Sequence, residues 1–120
     1  MSRPWQDTET ESGLLHARAG LPDRWDVSVS RDWTVARPVS RRRVAAQVRQ
    51  DLWRAAQSIR GFVPRVLVRA EAGQIHLTAG GTQLTGRTPP GLTARLVAIL
   101  DNPDNQDRWV RHARVRRVQA

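Results

Sequence analysis

The apolar residues of the chain follow two different periods, and the changes of period predict the order of its elements. In the stretch 25–37, large apolar residues take alternate positions, as in a half-buried strand; they are Val27, Val29, Trp33 and Val35. The polar residues 30–32 suit a turn, which divides this stretch into a hairpin of two short strands; one longer strand is the alternative. Pro38 ends the element in both versions.

A helical period replaces the alternation over residues 40–60. Ser40 is a suitable N-cap, and Gly61 is a suitable helix stop. At about 100° per residue, the apolar side chains between them fall on one narrow stripe; they are Val44, Ala45, Val48, Leu52, Ala55, Ala56 and Ile59. The pattern therefore predicts an amphipathic helix that turns this stripe toward a core.

Alternation returns in the next segment of the chain. Residues 62–70 and 75–79 are predicted as strands, joined by a hairpin turn that contains Gly73. The pair Gly80-Gly81 is predicted to break the second strand, and residues 82–85 to form a further short one. Paired strands with so short a connection must be antiparallel.

A shorter helical pattern follows the strands. Thr88 and Pro89 suit an N-cap and a first helical residue, and Asn102-Pro103 marks the end of that helix. Residues 104–107 are predicted as a polar corner, and the basic segment after them is predicted to begin as a helix.

These elements predict an α+β fold with the order ββαββα: a small antiparallel sheet of two hairpins, packed on one face by two helices. We expect a flexible N-terminal arm over residues 1–22, a single domain over 23–107 and a basic C-terminal segment over 108–120. At 120 residues the chain has room for one such domain.

Charge is the unusual feature of the composition. The chain carries 20 basic and 11 acidic residues, for a net charge of +9, and has no Cys. Residues 37–69 hold nine Arg against one acid, and residues 108–120 hold five Arg and no acid. Every basic residue is Arg, which codon usage can explain as well as selection can; the clustering into two blocks does not depend on that choice.

The sequence gives little indication that the protein is an enzyme. His16, His76 and His112 fall in three different elements without a partner at a motif spacing, and no phosphate loop or nucleophile elbow is present. The series Asp101, Asp104 and Asp107 lacks the spacing of a calcium loop, and helix capping explains it better. We therefore expect no catalytic residue, no metal site and no cofactor.

A basic surface is the stronger signal. On the predicted helix 40–60, the face opposite the core stripe carries Arg and Gln around Trp53, a side chain large enough to need a partner or a covering segment. The C-terminal arginines can contact phosphates, or they can pair with Asp7, Glu9 and Glu11. The candidate binding residues are Arg41, Arg42, Arg43, Arg49, Trp53, Arg60, Arg111, Arg114, Arg116 and Arg117.

The outer face of the sheet is a weaker third candidate. It is predicted to present Arg65, Arg69, His76 and Thr78, but no exposed aromatic side chain on which a base could stack.

We expect a small cytoplasmic protein, without a transmembrane segment, that binds DNA or RNA non-enzymatically through Arg–phosphate contacts and with low sequence specificity. The alternative is a protein-interaction module, such as a subunit, adaptor or inhibitor, that docks the Arg/Trp helix face on an acidic protein. Salt dependence separates the two hypotheses, since phosphate binding weakens steeply with salt.

Overall fold

In residues 4–115, a five-stranded antiparallel sheet forms one layer and three helices form the other. A computed structural model of the chain describes residues 4–115. The strands lie side by side in the order β1-β2-β4-β5-β3. Their bounds are β1 Trp5–Thr10, β2 Gly13–Arg18, β3 Val27–Thr34, β4 Phe62–Glu71 and β5 Gln74–Gln83, and those of the helices are α1 Arg41–Ala55, α2 Leu92–Asp101 and α3 Pro103–His112. The α+β class and the antiparallel pairing are confirmed.

The core lies between the helices and one face of the sheet. The predicted stripe of α1 is buried there, with Val44, Ala45, Val48 and Leu52 completely enclosed. Alternate residues of the central strands meet it, among them Val66 and Val68 of β4 and Ile75, Leu77 and Ala79 of β5. The other face of the sheet is the outer face. No helix within residues 4–115 is long and apolar enough to cross a membrane.

The N-terminal residues differ from the prediction of a flexible arm. Residues 5–10 and 13–18 form β1 and β2, and β2 pairs with the central strand β4. Leu14 and His16 of β2 face the helices and are buried, whereas β1 is polar apart from Trp5. Because β1 lies at the sheet edge and buries little, its sequence carries no alternation that could have revealed it.

The stretch 27–34 is one strand rather than a hairpin. It pairs with β5 over its whole length, so residues 30–32 are not a turn. Ser30 and Asp32 are polar because they belong to the outer face, where the Ser30 hydroxyl lies 2.8 Å from that of Thr78. These polar residues were therefore interpreted as a turn, although they belong to a strand that is solvated on one face.

Strand β5 continues through the glycine pair that was predicted to break it. The neighbouring backbones come so close that side chains would not fit. A Cβ atom at Gly80 would lie 2.0 Å from the carbonyl oxygen of Val27, and one at Gly81 would lie 2.2 Å from that of Val63. Glycine here permits tight packing between strands, and residues 82–83 remain in β5 instead of starting a further strand.

Within residues 4–115, two helices follow β5, and the second begins at Pro103, five residues before the basic segment that was predicted to begin as a helix. Gly91 precedes α2 in a left-handed conformation, and the helix ends at Asp101, as Asn102-Pro103 suggested. The Asn102 side chain then caps the next helix by accepting from the Asp104 amide at 2.9 Å, with Pro103 as its first residue. Residues 104–107 therefore open α3 instead of forming a corner.

Candidate functional site

A cleft lined by arginines lies where the segment before α1 meets the end of α3. Its volume is about 1000 Å³. Its walls carry Arg37 from the β3–α1 connection, Arg43 from the first turn of α1, and Arg111, His112 and Arg114 from the end of α3 and beyond, with Ala36, Pro38 and Val115 between them. We refer to this feature as the basic cleft.

Backbone hydrogen bonds hold the two walls of the basic cleft together. The Ser40 amide donates to the Ala113 carbonyl at 2.7 Å, and the Val115 amide donates to the Pro38 carbonyl at 3.4 Å. Val39 and Arg114 form an isolated antiparallel bridge between these two bonds. Residues 113–115 therefore run beside the entrance to α1, which brings Arg114 next to Arg43.

A carboxylate of α1 anchors α3 and with it the second wall. Asp51 accepts from the indole Nε1 of Trp109 at 2.8 Å and forms an ion pair with Arg108. Trp109 is completely buried and packs at a tilt against Trp33, with ring centroids 6.3 Å apart. Asp51 is thus a structural residue that fixes the position of α3.

Four arginines give the basic cleft a positive charge that no carboxylate in residues 4–115 neutralises by direct pairing. Within that range, none of its four arginines lies within ion-pair distance of a carboxylate. The first turn of α1 contains no acidic residue, so the positive end of the helix dipole adds to their charge. Four exposed guanidinium groups around one hollow form an arrangement that binds oxyanions, since each can donate two parallel hydrogen bonds.

The neighbouring arginines of α1 are in a different situation, because β1 supplies them with acids. Arg41 forms a bidentate ion pair with Glu9, and Arg42 Nε lies 3.1 Å from Asp7 Oδ2. The hydrogen bond from Arg41 lowers the pKa of the Glu9 carboxyl.

The centre of this second group is a buried histidine. His16 Nδ1 lies 2.7 Å from Asp7 Oδ1, and its Nε2 accepts from Arg49 Nε at 3.0 Å. The Trp5 ring stacks on the imidazole at 5.6 Å and also lies under the Arg49 guanidinium at 4.6 Å. Burial lowers the pKa of Arg49. Both ring nitrogens of His16 are used within the fold, so the ring does not serve as an accessible base. The acid-paired cluster consists of Trp5, Asp7, Glu9, His16, Arg41, Arg42 and Arg49.

The structure brings some of the predicted binding residues together and separates the others. Arg43, Arg111 and Arg114 line the basic cleft, whereas Arg41, Arg42 and Arg49 belong to the acid-paired cluster. Arg60 is exposed in the turn after α1, beside the opposite end of the sheet. Arg116 and Arg117 lie outside the described residues. The suggestion that the C-terminal arginines pair with Asp7 or Glu9 is wrong for the described residues, because these acids pair with α1 instead.

Trp53 is exposed over 55% of its surface and therefore lacks the cover that a core residue has. It lies ten residues beyond Arg43 on α1, or roughly 15 Å along the helix axis. The exposed tryptophan and the unpaired arginines thus occupy separate places, although the sequence pattern put them on one surface.

Arg37 is the cleft residue that the sequence analysis missed. It stands alone before Pro38 in a connection between elements, so no periodicity marked it. The available signal was its place at the start of the basic block 37–69. The backbone pairing of residues 38–40 with 113–115 is a tertiary feature that brings Arg37 to the C-terminal arginines.

Arg65, one of the cations predicted for the outer face of the sheet, is held by the fold. It is buried, bonds to Asp23 and to the Pro22 carbonyl, and lies over the Trp25 ring at 5.1 Å. The connection between β2 and β3 therefore covers that end of the face.

The two predicted outer-face cations at the other end are paired but more accessible. Arg69 Nε lies 3.6 Å from Glu71, and His76 Nδ1 lies 2.7 Å from Asp32. Thr78, two positions after His76 on β5, is half-buried, and its hydroxyl lies within hydrogen-bond distance of that of Ser30. Paired cations of this kind offer less to an incoming phosphate than the arginines of the basic cleft do.

The three aspartates considered as a metal set do not converge. Asp101 forms an ion pair with Arg31 at 2.7 Å, and the hydrogen bond from Arg31 lowers the pKa of that carboxyl. Asp104 occupies the first turn of α3, where its charge favours the helix. Across residues 4–115, no three His, Cys, Asp or Glu side chains are grouped so that they could hold a metal ion.

Comparison with known proteins adds no family to this description. No family model, no curated protein and no solved structure matches the chain.

Proposed function

We propose that this protein binds nucleic acid through contacts between the arginines of the basic cleft and backbone phosphates. The observation that carries the proposal is the convergence of Arg37, Arg43, Arg111 and Arg114 on one open hollow, without an acidic partner in the described part of the chain. Arginine is well suited to phosphate because its planar group binds two oxygens at once. Contacts of this type position a nucleic acid without selecting its sequence.

The fold supports the proposal by using its other arginines internally. Arg41, Arg42 and Arg108 are neutralised by neighbouring carboxylates, so the net charge of +9 does not spread evenly over the surface. Four phosphate contacts would give a slope of about −3 for the logarithm of the binding constant against the logarithm of the salt concentration. That slope measures the site directly.

The test is a fluorescence anisotropy titration of labelled single-stranded and duplex oligonucleotides at several salt concentrations. We expect binding at low salt with a slope near −3. The double variant Arg43→Glu/Arg114→Glu should lose at least about thirtyfold in affinity, because it places two carboxylates in the phosphate site.

The matched control is Arg60→Glu/Arg87→Glu. Both residues are exposed, neither has an ion-pair partner in the region described, and the change in net charge is the same. They lie toward the other end of the sheet, roughly 30 Å away along a ten-residue strand. If both double variants lose affinity equally, overall charge explains the binding and the basic cleft does not. No binding by the unaltered protein at low salt would end the proposal.

A protein interface around Trp53 is the second candidate, and the exposure of that side chain favours it. A large aromatic residue on a solvent-facing helix is a common anchor of interfaces. In the same titration, Trp53→Ala should leave oligonucleotide affinity within about twofold of the unaltered protein, since the basic cleft lies roughly 15 Å away. A tenfold loss would instead place the contact on the α1 face.

A further inference from the structure

An apolar groove adjoins the basic cleft on the other side of the β3–α1 connection. It has a volume of about 520 Å³ and lies between that connection and the β4–β5 turn. Its lining includes the aliphatic Val35, Val39, Ala70 and Ala72 and the polar Gln74. The charged residues Arg41 and Glu71 also line it, and they are paired with Glu9 and Arg69. The volume lies within the range of roughly 300–1,000 Å³ that is usual for small-molecule sites.

The groove and the basic cleft share one wall. Ala36, Arg37 and Pro38 line both of them, so a ligand that crosses this short segment touches arginines on one side and aliphatic side chains on the other. The segment itself is exposed at all three residues. A ligand that fits both parts must combine closely spaced negative charges with a flat or compact apolar group.

We propose that the apolar groove receives an unpaired base of a single-stranded nucleic acid whose phosphates lie in the basic cleft. This inference rests on the proposed function and narrows its ligand to single strands. In a duplex, the bases are stacked and paired inside the helix and cannot enter a groove beside the phosphate site. In a single strand, each base can turn outward next to its own phosphate.

The lining suits a base better than it suits a purely aliphatic group. The Arg37 guanidinium is a plane on which a base can stack, and the Pro38 ring offers a flat apolar surface beside it. Gln74 offers an amide donor and acceptor at the rim, where the edge of a base would lie. None of the lining residues within 4–115 is aromatic, so we expect the groove to contribute modestly to affinity and to show little preference among bases.

The experiment compares three labelled ligands with the unaltered protein: an oligothymidylate of about ten nucleotides, a strand of the same length and charge without bases, and the matching duplex. We expect the strand without bases to bind about tenfold more weakly than oligothymidylate, and the duplex to bind more weakly as well. The salt slopes of the two single strands should agree, because they present the same phosphates.

The variant Ala70→Leu fills the groove without changing any charge, since Ala70 is exposed and lines it. It should reduce the affinity for oligothymidylate to that for the strand without bases and leave the latter unchanged. Ala98→Leu, at an exposed position of α2, adds the same volume elsewhere and should change neither affinity.

The two hypotheses fail in distinguishable ways. Equal affinity for strands with and without bases overturns the groove proposal; if Arg43→Glu/Arg114→Glu still abolishes that binding, the proposed function stands. Displacement of oligothymidylate by polyglutamate of equal charge at equal concentration also overturns the groove proposal, because it would identify an acidic peptide as an equivalent ligand. Absence of binding to all three oligonucleotides overturns both.

Discussion

The basic cleft and the acid-paired cluster contain arginines that are adjacent in sequence but differ in whether they are paired with a carboxylate. Arg41 and Arg42 form ion pairs with Glu9 and Asp7 of β1, whereas Arg43 lines the cleft and has no carboxylate partner within residues 4–115. Successive side chains of a helix point about 100° apart, so three consecutive arginines cannot all lie on the same surface. A run of arginines in the sequence therefore indicates how much positive charge a helix carries. The acidic residues of neighbouring strands determine how much of that charge can bind a ligand.

The difference also concerns stability. In the acid-paired cluster, charges support the fold, since they join an edge hairpin to α1 through His16 and Arg49. In the basic cleft, four like charges repel one another, and the backbone bonds of residues 38–40 with 113–115 hold them in place. An anion in the cleft would relieve that repulsion. This is the physical argument for a ligand there and against one in the cluster.

The largest expected effect comes from removing the anchor that positions the second wall of the cleft. Asp51→Ala leaves the buried indole N–H of Trp109 without an acceptor and Arg108 without its partner. We expect a loss of about 2–3 kcal/mol in the free energy of unfolding, measured by urea denaturation with tryptophan fluorescence. Oligonucleotide affinity should also fall, because α3 carries Arg111 and leads to Arg114.

Asp107→Ala is the matched control for that variant. It removes an exposed carboxylate from α3 and should cost less than about 0.5 kcal/mol. Equal losses in the two variants would show that Asp51 does not anchor α3.

A smaller effect is expected when an arginine of the acid-paired cluster is set free. Asp7→Asn weakens the bond to His16 Nδ1 and removes the charge opposite Arg42. We expect the free energy of unfolding to fall by about 1–2 kcal/mol, while the salt slope of oligonucleotide binding steepens by up to about one, because Arg42 becomes available to phosphate. Asp32→Asn changes the net charge equally but frees a histidine on the outer face of the sheet. The comparison between the two regions is wrong if both variants steepen the slope alike.

The helices and strands that bury the most apolar surface were the ones that the sequence predicted best. The stripe of α1 and the alternation of β4 and β5 were clear because these elements form the core. Strand β1 was not recognised because Trp5 is its one apolar residue, which leaves no alternation to detect. The start of α3 was not predicted because Asn102 and Pro103 were interpreted only as the end of α2. The same two residues are the N-cap and the first residue of α3.

The sequence predicted that the candidate site would be a basic surface, but it did not predict where on the fold that surface lies. The blocks of arginine indicated a basic surface, and Arg43, Arg111 and Arg114 were among its predicted residues. The sequence could not show that Asp7 and Glu9, two positions apart on one side of an unrecognised strand, neutralise Arg42 and Arg41. It also could not show that Arg37 joins the others, since a backbone bridge between distant segments brings it there.

A still smaller effect should follow from relieving backbone strain beside the cleft. Ala72, in the β4–β5 turn, has a φ of 51°, a left-handed conformation that asparagine tolerates better than alanine. We expect Ala72→Asn to raise the free energy of unfolding by about 0.5–1 kcal/mol without altering the salt slope. Ala98→Asn, inside α2, should lower the free energy of unfolding instead. No gain at Ala72 would mean that the turn carries no strain that can be relieved.

The smallest effect concerns pH, and it distinguishes paired from unpaired arginines without a ligand. Arg41 lowers the pKa of Glu9 from its ordinary value of 4.5, so the folded state favours the ionised carboxyl. The stabilisation is therefore complete above that value and is lost as the pH falls through the lowered pKa of the folded state. Glu9→Gln should shift the urea midpoint downward at pH 7, and this shift should shrink as the pH falls below 4.5, because the unaltered protein then loses the same charge. Arg43→Gln, which removes a cation without a carboxylate partner in the described range, should shift the midpoint by an amount that this titration does not change. A Glu9→Gln shift that persists undiminished at about pH 3 would mean that the Glu9–Arg41 pair does not stabilise the fold, and that the two regions differ less than their geometry indicates.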